Sequence, residues 1–351
     1  MRTQATAKLD QQPAGNLDNP AEAASYWLMA RNNYSDEQLR LAARLHYVDG
    51  LGQTEVARFF KVSQAKVSRL LAIAKERGIV RVSVAEYEPR DLILERAVRK
   101  KFGLESVTVI KTIAGADGED SRRTVGHFGG PFVEGLLPAN SVVAIAGGRS
   151  IRELVQHVPE DKNRNLTVIQ AMGSIDSTVG SEDALELGRI LARRSGGSFL
   201  TLNTPAFVPD RKTRDAFLSL PQINSVRQRL AEADVALVGV GTLDNSAFAA
   251  RGVLSHQEME ELTGCGAVGE ICGRFYDKNG RECDSRWRDR VVSIDLDQLR
   301  KIPQVVGIVA GGDRSAAIAA AVRGNLLKAL IIDDNAGRFL AGLKPAPAKG
   351  T

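Results

Sequence analysis

The chain has 351 residues, 43% hydrophobic and 25% charged, enough for two domains that each bury a core. No apolar run approaches the roughly 18 residues of a membrane span, and the polar N-terminus lacks a signal-peptide stretch, so the composition argues against membrane and secreted classes. The net charge of +5 is unevenly placed: residues 35–84 hold nine Lys/Arg against five Asp/Glu, whereas residues 85–351 are nearly neutral, which points to a polyanionic partner for the first piece only.

In chain order, residues 1–24 read as a disordered tail, with Pro13, Gly15 and Pro20 set among Gln and Asn. Residues 25–85 read as a small DNA-binding head. Ser35 and Gln38 form a capping box for a first helix that Asp49-Gly50 ends. A second helix spans Gln53 to Phe60, Lys61-Val62 makes a turn, and Ser63 caps a third helix ended by Gly78. Val67, Leu70, Leu71 and Ala74 line one face of that third helix. The alternation in Ile79–Val84 predicts a strand, which completes a winged helix-turn-helix. Its last helix then enters the major groove, with Ser63, Gln64, Lys66, Ser68 and Arg69 off the apolar stripe as DNA-binding candidates.

Residues 86–104 read as a linker helix from Leu92 to Phe102. Its apolar positions face either a partner subunit or the chain's own domain. From Ser106, β-branched runs alternate with helical segments. The strands expected are Val107–Ile110, Val142–Ala146, Leu166–Gln170, Val235–Val240, Val291–Ile294, Val305–Val309 and Ala329–Ile332. Helices are expected at Glu182–Ser195, His256–Leu262, Arg314–Arg323 and Asn335–Leu340. That order predicts an α/β fold over residues 105–345, a doubly wound, mostly parallel sheet whose ligand site lies at the carboxyl ends of its strands.

Several loops at those strand ends carry suitable chemistry. Gly147-Gly148-Arg149-Ser150 and Ala310-Gly311-Gly312-Asp313-Arg314 each join a strand to a helix. Glycines there admit close backbone approach, and helix-start amides beside an Arg suit an anion such as phosphate. Gly241 ends another strand. Glu270 is the sole acid within a glycine-rich stretch, either a hydroxyl acceptor or a solvated loop residue. Cys265, Cys272 and Cys283 form no CxxC pair, so a reduced cytoplasmic setting is expected, with no metal site and no cofactor.

The stretch Val62-Ser63-Gln64-Ala65-Lys66-Val67-Ser68-Arg69-Leu70-Leu71, followed by Ala74 and Arg77-Gly78-Ile79-Val80, resembles the head of the SorC-type sugar-binding regulators. Val142–Ser150, Arg194–Gly197, Ala233–Gly241, Gly266–Asp277 and the run from Ala310 to Asp333 resemble their effector domain, which is similar to the sugar-phosphate isomerase and deaminase fold. The likeness covers about residues 35–343. It implies a homodimer or homotetramer on pseudo-palindromic operator DNA, controlled by a sugar, a polyol or its phosphate. It also places Gly147, Gly148, Arg149, Ser150, Gly241, Glu270, Gly312, Arg314 and Asp333 at the effector. Two departures stand out: Arg314 replaces the family's usual Lys, and Ile332-Asp333 its usual Thr-Asp. Arg314 holds phosphate as a rigid fork but stays protonated, so it forms no Schiff base. The alternative is an enzyme acting on a sugar phosphate. Glu270, Asp244 and Asp333 are acid/base candidates for it, but no P-loop, GxSxG or HExxH motif appears. A third reading, a structural protein with a non-specific basic head, leaves the glycine-bearing loops without a role.

Overall fold

The structure, a computed structural model, describes residues 34–311 and 313–343. The expected tail, the first residues of the expected head, Gly312, and residues 344 and 345 of the expected effector domain lie outside that range. The chain divides into two compact units, one running to Tyr87 and one from Glu88.

The first unit contains α1 (Asp36–Ala43, continued by a π-helical turn Arg44–Val48), α2 (Gln53–Phe60) and α3 (Gln64–Glu76). The Ser35 hydroxyl accepts from the Gln38 N–H, and Gln38 accepts from Ser35 N–H, so the capping box forms. Lys61, at φ 52°, makes the left-handed turn between α2 and α3. Val67, Leu70, Leu71 and Ala74 are buried against Leu39 and Val56. Arg77 pairs with Asp36 at 2.8 Å and so ties the end of α3 to the start of α1. The expected strand at Ile79–Val84 does not form. Val80 N–H donates to Ala74 O at 3.1 Å and folds onto the helical core, while Val82 and Val84 stand exposed. A strand needs a ladder partner, and no second strand exists in this unit among the described residues.

The second unit is built on seven parallel strands. These are β1 (Ser106–Ile110), β2 (Val142–Ile145), β3 (Thr167–Gln170), β4 (Ser198–Leu200), β5 (Val235–Val238), β8 (Gln304–Val309) and β9 (Ala329–Asp333). Their order is β1-β9-β8-β5-β2-β3-β4. A separate antiparallel pair joins β6 (Gly269–Ile271) to β7 (Arg274–Tyr276). The central strands are buried along their length, which is why they read as continuous apolar runs. From β2 the chain moves out to β3 and β4, then returns to β5 on the other side of β2 and proceeds to β8. Strand order therefore reverses between β2 and β5, the position where open α/β sheets leave a crevice. Val291–Ile294 makes only isolated bridges, to Phe207 and Met172, rather than a strand.

Helix α4 (Leu92–Phe102) is part of this unit rather than a free linker. Leu94 and Val98 enter the main core, leaving Leu92 and Ile93 outward. The buried Glu95 carboxylate accepts from Arg90 Nε at 2.7 Å and from Val109 N at 3.1 Å. The longest helix, α5 (Gly118–Glu134), carries four glycines and Pro131, a composition that hides a helix from periodicity. Its glycines have a packing function against α6 (Arg149–His157). A methyl group at Gly126 would lie 2.5 Å from Glu153 Cβ, and one at Gly130 2.6 Å from the His157 carbonyl carbon. The helices thus touch backbone to backbone, in parallel, with 126 beside 153 and 130 beside 157. We predict that Gly126→Val lowers unfolding free energy by about 1–3 kcal/mol through overpacking, despite the gain from removing a helical glycine. Urea denaturation checks this; a stabilised variant contradicts the close contact.

Candidate functional site

A cavity of about 310 Å³ opens at the reversal point, lined by the ends of β2, β3, β5 and β8. β2 runs through Ala146 into Gly147 and Gly148. A methyl group at Gly147 would meet Glu182 O at 2.8 Å, and Gly148 N–H donates to that same carbonyl at 2.8 Å. Gly148, at φ 137°, precedes α6 without capping it by a side chain, so the first amides of α6 have no internal acceptor. Arg149 then stands exposed at the rim, and the Ser150 hydroxyl accepts from Ala310 N at 3.3 Å. That bond joins the two glycine-bearing turns.

The second turn follows β8. Gly311, at φ 70°, lies so close to Gly118 O that only glycine fits there. Arg314 precedes α7 (Ser315–Arg323) and is 9% exposed; its guanidinium donates to Ala310 O and Gly311 O. Burial lowers its pKa, as do the nearby Arg149 and Arg122. Neither Arg149 nor Arg314 forms an ion pair among the described residues; Glu153 pairs instead with Arg152 at 2.6 Å.

The third wall comes from β5 and the β6–β7 hairpin. Gly241 and Glu270 exchange backbone hydrogen bonds at 2.9 Å, and a methyl group at Gly241 would lie 2.6 Å from Glu270 Oε2. Glu270 Oε1 accepts from Gly273 N–H. Burial pushes the Glu270 carboxyl up to about 7, against the opposing pull of that N–H and of Arg314. The adjacent Cys272 thiol is pushed up to about 12 by burial, which keeps it protonated and unreactive.

Gly147, Gly148, Arg149, Ser150, Gly241, Glu270 and Arg314 therefore line one cavity, whereas Asp333 does not. The Asp333 carboxylate accepts from Ala336 N and from Gly311 N, both at 2.8 Å. It caps the helix after β9, α8 (Asp334–Ala341), and holds the Gly311 turn in place. Gly312 lies outside the described residues. Sequence reasoning missed two groups of lining residues. One is Arg122, on the unrecognised α5. The other is a strap in which Arg251 holds Asp176 at 2.7 Å and Glu182 at 3.0 Å. Only the one-turn spacing of Arg122, Gly126 and Gly130 hinted at the first.

In the head, Ser63 Oγ accepts from Lys66 N at 3.3 Å, so this hydroxyl serves the cap of α3. Gln64, Lys66 and Ser68 are exposed and Arg69 is half-buried, all off the buried Val67 and Leu70 face.

The raised pKa of Glu270 has a measurable consequence. The folded state binds this proton more tightly than the unfolded chain. Its contribution is therefore fully present below about pH 4.5 and is lost as pH rises toward 7. Relative to Glu270→Gln, the wild type should lose about 3 kcal/mol of stability across that window. Chemical unfolding of both proteins at several pH values tests this, and a difference that does not vary with pH contradicts it.

Comparison with known proteins follows the same lines. A family model described as a sugar-binding domain, Sugar-bind, matches residues 89–341. The chain is 31% identical to YjhU, an uncharacterized transcriptional regulator of Escherichia coli (strain K12), over 88% of this chain and 95% of that one. It is 27% identical to the sorbitol operon regulator of Klebsiella pneumoniae, over 85% and 95%. The crystal structure of full-length SorC from Klebsiella pneumoniae matches with a TM-score of 0.70 at 26% identity, covering 88% of this chain and 100% of that one. The chain belongs to the SorC-type sugar-binding transcriptional regulators.

Proposed function

We propose that this regulator binds a pseudo-palindromic operator of a carbohydrate or polyol catabolic operon through α3, as a cytoplasmic homodimer or homotetramer. A sugar, a polyol or its phosphate controls it from the cavity at the strand-order reversal. One observation carries the effector assignment: two guanidiniums and the open amides of α6 meet at a single cavity, with no carboxylate paired to either guanidinium among the described residues. A phosphate group accepts such charge-assisted, forked hydrogen bonds. Glu270 and the loop amides offer complementary partners for hydroxyls. The name of the sorbitol operon regulator supports a polyhydroxylated effector. Asp333 acts as a positioning residue behind the Gly311 turn. The enzyme alternative lacks support in the site: Glu270 lies against Gly273 N–H with Gly241 packed on its other oxygen, and among the described residues no second acid is paired with it. No helix among the described residues is long and apolar enough to cross a membrane, consistent with an operator-bound protein.

On the DNA side, Gln64 and Arg69 read base edges while Lys66 and Ser68 hold phosphates. Gln64→Ala and Arg69→Ala should each weaken specific binding by about 1–3 kcal/mol in gel-shift titration on the upstream region. Unchanged affinity in both removes α3 from the reading role. On the effector side, calorimetry compares matched phosphorylated and plain sugars on wild type and Arg314→Ala. Loss of one charge-assisted hydrogen bond is about 1.5–3 kcal/mol, so affinity for the phosphorylated form alone should fall at least tenfold. Equal loss for both forms, or none, defeats the phosphate reading.

A further inference from the structure

Two of the chain's four histidines meet on the flank of the α5–α6 contact. His127 follows Gly126 directly on α5, and His157 ends α6 with its backbone against Gly130. Their ring centres are 5.0 Å apart, with the ring planes at 76°. His157 Nδ1 lies 2.8 Å from the Glu153 carbonyl oxygen, which only accepts. In the neutral ring Nδ1 therefore carries the proton, and Nε2 keeps its lone pair. His127 is exposed and His157 half-buried, so both rings are open to solvent.

This geometry matches what a metal ion asks of two imidazoles. Zinc–nitrogen bonds of about 2.0–2.1 Å at a tetrahedral angle place the two ring centres about 5 Å apart. A backbone carbonyl behind a ligating ring fixes its tautomer and orientation, as the Glu153 carbonyl does for His157. The backbone contact at Gly126 and Gly130 already holds the two helices together, so binding has little left to order. The carboxylates of the same helices are engaged elsewhere: Asp120 with Arg123 at 2.5 Å, Glu134 with Arg164 at 2.8 Å and Glu153 with Arg152 at 2.6 Å. Glu119 precedes His127 by two turns of α5, about 12 Å along the axis. The donors that remain are nitrogens, which suit Zn2+ and disfavour the oxygen-seeking Mg2+ and Ca2+.

We propose that His127 and His157 bind one divalent, imidazole-preferring ion of the Zn2+ kind, with water in its other positions, and that this ion clamps α5 to α6. The site lies at the far end of α6 from Arg149, about 12 Å away along the helix, so it is separate from the effector cavity and independent of how that cavity is read. The expectation of no metal site rested on the cysteine spacing, which carries no information about two histidines brought together by a helix contact.

Calorimetry with Zn2+ on the untagged, chelator-treated full chain, with Mg2+ as the reference ion, tests this. Wild type should bind Zn2+ and not Mg2+, and saturating Zn2+ should raise its unfolding temperature. His127→Phe keeps an aromatic ring against His157 but offers no nitrogen. It should lose at least tenfold in Zn2+ affinity together with the thermal shift, and His157→Phe should do the same. His256→Ala should bind like wild type, although His256 Nε2 lies 3.1 Å from Glu260 Oε1, and so should Cys265→Ser. If Zn2+ binds wild type and His127→Phe equally, the ion sits elsewhere and the proposal falls. A loss in only one of the two phenylalanine variants overturns the shared site. If wild type does not distinguish Zn2+ from Mg2+, the two rings make an edge-to-face contact and nothing more.

Discussion

The absence of side chains at Gly126 and Gly130 is the constraint on which the site depends. Two helices that touch through their backbones cannot slide or splay without opening a void or a clash, so the second turn of α5 is held level with the start of α6 beside the ends of β2 and β8. Larger residues at these positions would move α5 outward, and the first turn of α5 would no longer meet the Gly311 turn. The tight approach of Gly118 to Gly311 belongs to the same arrangement and locks the other end of the contact.

The head was largely legible in the sequence because its signals are local. Ser35 with Gln38 and Ser63 with Lys66 make caps within one turn, and the Val67, Leu70, Leu71 stripe buries the face that its spacing indicates. The wing was not legible, because alternation in Ile79–Val84 states only a preference, and a strand exists only when another chain segment supplies its ladder. The sheet strands were legible where they are central and apolar on both faces. β4 was missed because it has three residues, none of them buried, at the edge of the sheet. α5 was missed because its glycines and Pro131 serve a neighbour distant in sequence, and single-segment propensity cannot see that neighbour.

At the site, Arg149 and Arg314 could be picked out because each follows glycines at a strand-to-helix turn. Their meeting in one cavity depends on the crossover between β2 and β5, which topology supplies and local pattern does not. Arg122 and the Arg251 strap had no such marker. Asp333 illustrates the opposite case: it matched a motif position, yet its carboxylate oxygens are held by the amides of Ala336 and Gly311.

Asp333 and the strap also differ in what surrounds them. Asp333 is buried and bonded to two elements at once, so any replacement disturbs the framework of the turn. The strap's ion pairs are partly solvated and belong to a loop and a short helix, so the side chains of Asp176 and Arg251 can change without moving the sheet, while the Glu182 carbonyl keeps its bond from Gly148 N–H. On the proposed effector reading, side-chain changes in that loop would alter which hydroxyl pattern such a regulator recognises, while the arginine-bearing wall on the sheet side is inherited unchanged.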